Sequence, residues 1–221
     1  EMKDLKKTCT PVKQQKYCRI GDCMNILVNM NDSQKDAVLS TDGPLLIFAG
    51  AGSGKTRVIT HRIAHLIREK NVPPYKIFAV TFTNKACEEM RKRVASIIGG
   101  SGDEVFVKTF HSASVYILRR FGEKIGIQQN FSVYDASDQE SIIKAILKEM
   151  NIDIMKVPAS RIASKISEIK DKAELIEGQD PSLLLPKDFR INYADIYREY
   201  NNRLKAANAL DFNDLLICTV K

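Results

Sequence analysis

The sequence predicts an α/β fold in which parallel strands alternate with helices. Short apolar runs at residues 45–49, 77–82 and 105–110 are each followed by a stretch whose apolar residues have helical spacing. Such alternation is typical of a parallel sheet with crossover helices. The chain has 221 residues, of which 44% are hydrophobic and 28% are charged. This composition is that of a folded protein and excludes a mostly disordered chain.

The first elements surround a glycine-rich turn. A capped helix is predicted over about residues 31–40, and the Asp-Gly-Pro sequence at 42–44 ends it. The apolar run 45–49 is predicted to be a buried strand. Helical spacing then predicts a helix over 55–70, which the two prolines at 73–74 end.

The next two strands are each followed by a helix. The strand 77–82 precedes a helix over about 84–98, and the strand 105–110 precedes a helix over about 112–121. After about residue 126 the pattern changes, because no strong strand pattern occurs between 136 and 207. Helical stretches are predicted there over 137–150, which opens with a capping box at 137–140, and over 159–172 and 193–207, with a proline-containing loop at 178–186. A further element begins at 210–216.

The charge of the chain is concentrated in one segment. The net charge is +7, and residues 57–120 hold 12 Lys and Arg against 5 Asp and Glu. A basic segment of this kind favours a polyanionic partner.

Residues 1–24 are polar, rich in Lys and without periodicity, so they are predicted to be a flexible tail. The spacing of Cys9, Cys18 and Cys23 lacks a paired C-x-x-C and does not favour a metal site. No apolar run approaches the ~20 residues of a membrane span, and the N-terminus lacks the apolar segment of a signal peptide. We therefore expect a cytoplasmic protein without a membrane partner.

A phosphate-binding loop is predicted at residues 49–56. These residues follow a predicted strand and open a predicted helix, which is the context that such a loop requires. Glycines let backbone N–H groups turn toward phosphate oxygens, and the helix N-terminus adds partial positive charge. Lys55 would reach the β- and γ-phosphates, and Thr56 would bind Mg²⁺. The predicted nucleotide-binding residues of the loop are Ala49, Gly50, Ala51, Gly52, Ser53, Gly54, Lys55 and Thr56. Kinases, GTPases, ATPases and helicases all share this loop.

Four further motifs, taken with the loop, resemble those of the UvrD/Rep family of superfamily 1 DNA helicases. They are Met-Asn-Asp-Ser-Gln at 30–34, Thr-Phe-Thr-Asn-Lys-Ala-Cys-Glu-Glu-Met at 81–90, Thr-Phe-His-Ser at 109–112 and Leu-Asp-Phe-Asn-Asp-Leu-Leu at 210–216. Their order and spacing match the family over residues 27–221. The resemblance implies a P-loop NTPase domain of the RecA-like type over 25–126 and 208–221. It also implies an inserted, all-helical subdomain over 127–207.

The resemblance implies roles for particular residues. Gln34 is similar to the glutamine that reads the adenine edge, which its amide can do with one donor and one acceptor. Arg57 would lie against the base, although a solvated helix Arg is nearly as well supported. Phe82 offers a face for base stacking or is a core aromatic at a strand end. His111 contacts the DNA backbone or is a structural residue. The predicted DNA-binding residues are Thr81, Phe82, Thr83, Asn84, Thr109, Phe110, His111 and Ser112.

The function that the resemblance implies is that of an ATP-dependent 3′→5′ DNA helicase. Such an enzyme uses ATP and Mg²⁺, translocates on single-stranded DNA and unwinds forked or duplex DNA in repair and replication. One alternative is the helicase half of a helicase-nuclease. Outside the family, the alternatives are a P-loop small-molecule kinase and a non-catalytic DNA-binding module.

Hydrolysis of ATP also needs an Asp that orients Mg²⁺ and a Glu that activates water. None of the predicted strands is followed by an Asp-Glu pair. We therefore expect the chain to be an N-terminal part of a longer helicase. By itself it should bind nucleotide weakly and turn over little ATP.

Overall fold

The fold is described from a computed structural model of the chain. The structure describes residues 26–99, 102, 104–153, 155–173 and 192–221. The predicted tail at 1–24 and the predicted loop at 178–186 lie outside the described residues. The chain divides into two compact units. The first comprises the described residues of Glu1–Ala79 and of Asn84–Val107, and the second comprises Val80–Thr83 and the described residues of Lys108–Lys221.

The described residues contain helices and short strands in mixed order. The helices are α1 (Asp32–Leu39), α2 (Lys55–Arg68), α3 (Asn84–Ile98), α4 (Phe110–Phe121), α5 (Ala136–Glu149), α6 (Ala159–Ala173), α7 (Tyr193–Ala206) and α8 (Phe212–Val220). The strands are β1 (Phe78–Thr81), β2 (Phe106–Thr109), β3 (Ser132–Tyr134) and β4 (Ala209–Asp211). Strand β1 pairs with β2, and β3 pairs with β4. The predicted α/β character is therefore confirmed, whereas the RecA-like sheet stays a prediction because the strands form two separate pairs.

The predicted buried strand at 45–49 is wrong. These residues have no regular secondary structure, and the side chains of Leu46 and Phe48 are 76% and 89% exposed. An apolar run becomes a strand only where a neighbouring strand takes up its backbone hydrogen bonds. Among the described residues, no strand pairs with this run.

The first unit is organised around α2. The apolar face of this helix buries Ile63 and Ile67 against Met90 and Val94 of α3, and Val107 of β2 completes the cluster. Apolar residues at positions i and i+4 lie on one face of a helix, which is why the spacing identified both helices. A second cluster of Met30, Val38 and Val58 packs the segment just before α1, and α1 itself, against α2.

The core of the second unit lies among α5, α6 and α7. The buried face of α6 carries Ile162, Ile166 and Ile169, and these pack against residues of the other two helices, which include Ile143 and Ile196. The bounds of these three helices agree with the predicted stretches to within one residue at each end. A smaller cluster joins α4 and α8 through Leu118, Phe131 and Leu215.

Two details of the second unit differ from the prediction. Helix α5 is capped by Asp135 rather than by a box at 137–140, because the Asp135 carboxylate accepts from the backbone N–H groups of Ser137 (2.8 Å) and Asp138 (3.0 Å). The segment 127–207 is also not wholly helical, since it contains β3. This strand pairs in parallel with β4, with Val133 opposite Leu210. Three-residue strands are too short to show the alternation that sequence patterns detect.

No helix of the described residues is both long and apolar enough to cross a membrane.

Candidate functional site

The glycine-rich loop at 49–56 leads directly into α2. Gly52 and Gly54 have φ angles of 74° and 84°, in the left-handed region that glycine enters without strain. Gly54 is the residue before α2, so the backbone turns into the helix there. A Cβ atom added at Gly50 or Gly52 would meet nothing within 4 Å. The space beside the loop backbone is therefore open.

Two side chains of the loop bind its own carbonyl groups. The ammonium group of Lys55 donates to the carbonyl oxygens of Ala49 (2.8 Å) and Gly50 (2.6 Å). The Ser53 hydroxyl also donates to the Gly50 carbonyl, at 2.7 Å. Charged phosphate oxygens are stronger acceptors than carbonyls, so an incoming phosphate can compete for the exposed Lys55 ammonium.

Gln34 connects α1 to the loop. Its side-chain Nε2 donates to the Ser53 carbonyl at 3.0 Å, and its Oε1 accepts from the Asn31 backbone N–H at 3.1 Å. The Asn31 side chain accepts in turn from the Gln34 backbone N–H at 2.9 Å, which completes a capping box at the start of α1. An amide carries a second N–H and a second lone pair. Gln34 is thus held beside the loop with capacity for a further partner.

Arg57 and Thr56 lie on the first turn of α2. The Arg57 guanidinium donates to the Val28 carbonyl at 3.0 Å, and the His61 ring lies 2.5 Å from the Ile26 carbonyl. These contacts fix the segment before α1 against α2. The Thr56 side chain is exposed at the N-terminal end of the helix. The stacking of Arg57 on an adenine base stays a prediction.

The residues of this loop fit a nucleoside triphosphate. Backbone N–H groups at the N-terminus of α2 favour bound anions, and open space beside Gly50 and Gly52 leaves room for phosphate groups. Lys55 and Thr56 supply the ammonium and the hydroxyl that phosphate and its Mg²⁺ need.

The motifs at 81–90 and 109–112 begin where β1 and β2 end. The Thr81 hydroxyl donates to the Thr83 carbonyl at 3.1 Å, and α3 begins at Asn84. Thr109 caps α4, because its hydroxyl accepts from the Ser112 backbone N–H (3.2 Å) and donates to the Ser112 hydroxyl (2.9 Å). In both motifs the polar residues shape the turn between a strand and a helix.

Phe82 and Phe110 bring these two motifs together. Their ring centroids are 5.3 Å apart, and the rings are tilted by 45°. Phe82 is 88% exposed and Phe110 is 41% exposed. The alternative that Phe82 is a core aromatic is therefore wrong. The two rings form an apolar surface that is open to solvent.

His111 has a packed environment. Its ring lies 5.2 Å from the ring of Phe212 in an edge-to-face arrangement, with 70° between the planes. The side chain is half-buried. This contact connects the 109–112 motif with the first residue of α8.

Residues of the 210–216 motif form a buried ion cluster. The Lys170 ammonium donates to Asp211 and to Asp214, at 2.7 Å in each case, and the Tyr200 hydroxyl donates to Asp211 at 3.0 Å. Lys170 is 3% exposed and Asp211 is fully buried. Burial would raise the pKa of Asp211, but the charge and hydrogen bond of Lys170 bring that pKa below its usual value. Burial, together with the negative charge of Asp211, raises the pKa of Asp214.

Lys170 and Tyr200 are not among the residues predicted from the sequence. One signal was present, because Lys170 follows the stripe Ile162, Ile166 and Ile169 at helical spacing and so occupies an apolar position. A charged residue on a buried stripe requires a buried partner. The sequence alone does not say which carboxylate that partner is.

Comparison with known proteins identifies relatives over most of the chain. The family model for the UvrD/REP helicase N-terminal domain matches residues 30–221. The ATP-dependent DNA helicase PcrA of Bacillus subtilis is 48% identical over 196 residues, which cover 89% of this chain and 26% of that protein. The PcrA proteins of Staphylococcus epidermidis and Staphylococcus aureus are each 46% identical, over 89% of this chain and 27% of theirs.

The chain thus spans about a quarter of the length of these curated relatives. The match begins at Met30, in the motif that contains Gln34, and includes the other four motifs that carried the resemblance. The chain therefore belongs to the UvrD/REP helicase N-terminal domain family.

Proposed function

We propose that this chain is the ATP-binding part of an ATP-dependent DNA helicase that moves 3′→5′ along single-stranded DNA and unwinds forked duplexes in repair or replication. Family membership and the names of the relatives support the reaction class. The observation that carries the DNA part of the proposal is Phe82, an aromatic ring 88% exposed at the end of β1. Unlike a singly exposed ring, Phe82 lies 5.3 Å from the ring of Phe110, so two exposed aromatic rings adjoin each other at the strand ends and offer a surface on which bases can stack.

The loop at 49–56 is the proposed ATP site. Lys55 and the loop N–H groups would hold the phosphates, Thr56 would hold Mg²⁺, and Gln34 would contact the adenine edge. ATP hydrolysis supplies the free energy for translocation. Because Gln34 already binds the Ser53 carbonyl, a base that engages its amide would also affect the loop that holds the phosphates.

The turns after β1 and β2 are the proposed DNA site. Phe82 and Phe110 would stack on bases, and the hydroxyls and N–H groups of these turns would contact the phosphates. His111 would contact the DNA backbone from its packed position against Phe212. The domain organisation proposed with this function is a RecA-like domain over 25–126 and 208–221, with a subdomain over 127–207 near the duplex that is helical apart from β3. We propose the cytoplasm as its location.

Binding of a labelled single-stranded oligonucleotide to the 221-residue chain tests the DNA site. Phe82→Ala should weaken binding by about fivefold to a hundredfold, because stacking on one aromatic ring is worth about 1–3 kcal/mol per base. Phe48→Ala is the matched control, since Phe48 is 89% exposed and lies outside the proposed DNA site. Equal affinity of the Phe82→Ala variant and the unmodified chain would contradict the proposal.

The ATP site is tested separately with a fluorescent ATP analogue and Mg²⁺. Lys55→Ala should remove detectable binding, because the ammonium is the only side-chain cation that the loop itself supplies. Lys70→Ala, at an exposed position just after α2, should leave binding unchanged. A Lys55→Ala variant that binds as well as the unmodified chain would exclude this loop as the nucleotide site. Unwinding and its 3′→5′ direction are measured on the full-length protein with forked substrates.

A further inference from the structure

A basic groove runs along α4, next to the turn that contains Thr109–Ser112. Its volume is about 390 Å³, and it is lined by Lys108, Ser112, Val115, Tyr116, Arg119 and Arg120. Three of these six residues are cationic and none is acidic. Ser112 belongs both to the groove and to the turn, so the groove is continuous with the proposed DNA site.

The two arginines are held by aromatic rings rather than by carboxylates. The Arg120 guanidinium lies 5.9 Å from the centre of the Tyr116 ring and donates to the Tyr116 hydroxyl at 3.2 Å. The Arg119 guanidinium lies 5.8 Å from the Phe131 ring. Within the described residues, neither arginine forms an ion pair with an acidic side chain. No carboxylate of the described residues therefore neutralises their charges.

We propose that this groove binds the continuation of the single strand that contacts Phe82 and Phe110, an inference that rests on the proposed DNA-binding function. Arg119 and Arg120 bind phosphates, and Tyr116 stacks on an unpaired base. Arg120 lies ten residues after Phe110, which is about 15 Å along the axis of α4. The strand would therefore extend beyond the nucleotides held at the ends of β1 and β2.

The chemistry of the groove favours a single strand over other anions. Tyr116 is 44% exposed, and an exposed aromatic ring beside a guanidinium is a stacking surface for bases. The bases of a duplex are already stacked on each other, so a duplex would use the cations but not the ring. An acidic peptide would likewise use Arg119 and Arg120 without a need for Tyr116.

The test compares two oligonucleotides, one of about 4 and one of about 12 nucleotides, a range that spans common single-strand site sizes. The double variant R119Q/R120Q should weaken binding of the longer one by about tenfold and leave the shorter one unchanged. The slope of log affinity against log salt should also fall by about 1.4, for two lost phosphate contacts. Tyr116→Leu should weaken binding of the longer one by about fivefold or more.

The matched control is K144Q/K148Q, which removes the same charge from exposed positions on α5 and should change neither affinity. Three results would overturn the groove alone while Phe82→Ala still weakens binding. The first is that R119Q/R120Q binds the longer oligonucleotide as tightly as the unmodified chain does. The second is that R119Q/R120Q loses the same affinity for both lengths. The third is that the unmodified chain binds poly-glutamate more tightly than DNA and that R119Q/R120Q weakens this binding. If the unmodified chain binds neither oligonucleotide, the proposed DNA function fails and the groove fails with it.

Discussion

Replacement of Lys170 by Met tests how far the second unit depends on its buried ion cluster. The Lys170 ammonium lies between the carboxylates of Asp211 and Asp214 and 5.2 Å from the centre of the Tyr200 ring. Met has a similar length but no charge. The substitution therefore preserves most of the packing and leaves Asp211 fully buried without its cation.

The expected loss follows from what remains around Asp211. Its Oδ2 atom keeps the Tyr200 hydroxyl at 3.0 Å, and its Oδ1 atom keeps the Asp214 backbone N–H at 2.8 Å. Neither donor carries a full charge. Removal of one partner from a buried ion pair costs about 3–5 kcal/mol, and we expect Lys170→Met to lower the free energy of unfolding by that amount.

Urea denaturation followed by far-ultraviolet circular dichroism measures this loss. Lys172→Met is the matched control, because Lys172 lies on the same helix and forms an exposed ion pair with Glu168 at 2.5 Å. Exposed pairs contribute about 0–1 kcal/mol, so Lys172→Met should change the free energy of unfolding little. If Lys170→Met prevents folding, Lys170→Arg retains the charge and should restore much of the stability. A Lys170→Met loss no larger than that of Lys172→Met would refute the reasoning.

Two further predictions concern a glycine of the loop and a buried phenol. Gly54→Ala should lower the free energy of unfolding by roughly 1–2 kcal/mol, because a φ of 84° is strained for alanine and the new Cβ would lie 3.1 Å from Gln34 Nε2. Gly50→Ala is the control for the same urea denaturation assay. Its new Cβ meets no atom within 4 Å, so it should change the free energy of unfolding little. Burial and the nearby Asp211 charge raise the pKa of Tyr200 well above its usual value of 10.0. Above pH 10 the unfolded phenol therefore loses its proton while the folded one keeps it, and the free energy of unfolding should fall with pH by up to about 1.4 kcal/mol per unit. Tyr200→Phe should make that fall shallower, and an unchanged slope would exclude Tyr200 as its source.

The helices were predictable from the sequence because their signals are local. Apolar spacing and caps located α2, α3 and α6 within a few residues, since each of these helices buries one face and satisfies its own backbone. The run 45–49 was not predictable in the same way. A strand depends on a neighbour for its hydrogen bonds, and composition does not report whether that neighbour is present.

The candidate sites also contain both local features, which the sequence predicts, and long-range contacts, which it does not. Gly54 and Lys55 could be predicted to lie together because they are adjacent in the sequence. The contact between Gln34 and Ser53 spans 19 residues, and only the resemblance to a family placed Gln34 near the loop. Lys170 and Asp211 are 41 residues apart in the sequence, and no single motif contains both of them. Long-range contacts of this kind depend on the packing of whole helices.

The structure also restricts what the acidic residues of the 210–216 motif can do. Each of the four carboxylate oxygens of Asp211 and Asp214 accepts a hydrogen bond, from Lys170, from Tyr200 or from a backbone N–H of the capping box. An Asp that orients Mg²⁺ needs an oxygen that can reach the ion, whereas Asp211 is fully buried and the Lys170 ammonium binds both carboxylates.

Their role is positional instead. Asp211 fixes the start of α8 against α6 and α7, and the next residue, Phe212, contacts the His111 ring. The motif thereby connects the helical core of the second unit to the turn proposed to bind DNA. A motif that lies outside both proposed binding sites is thus explained by what it holds in place.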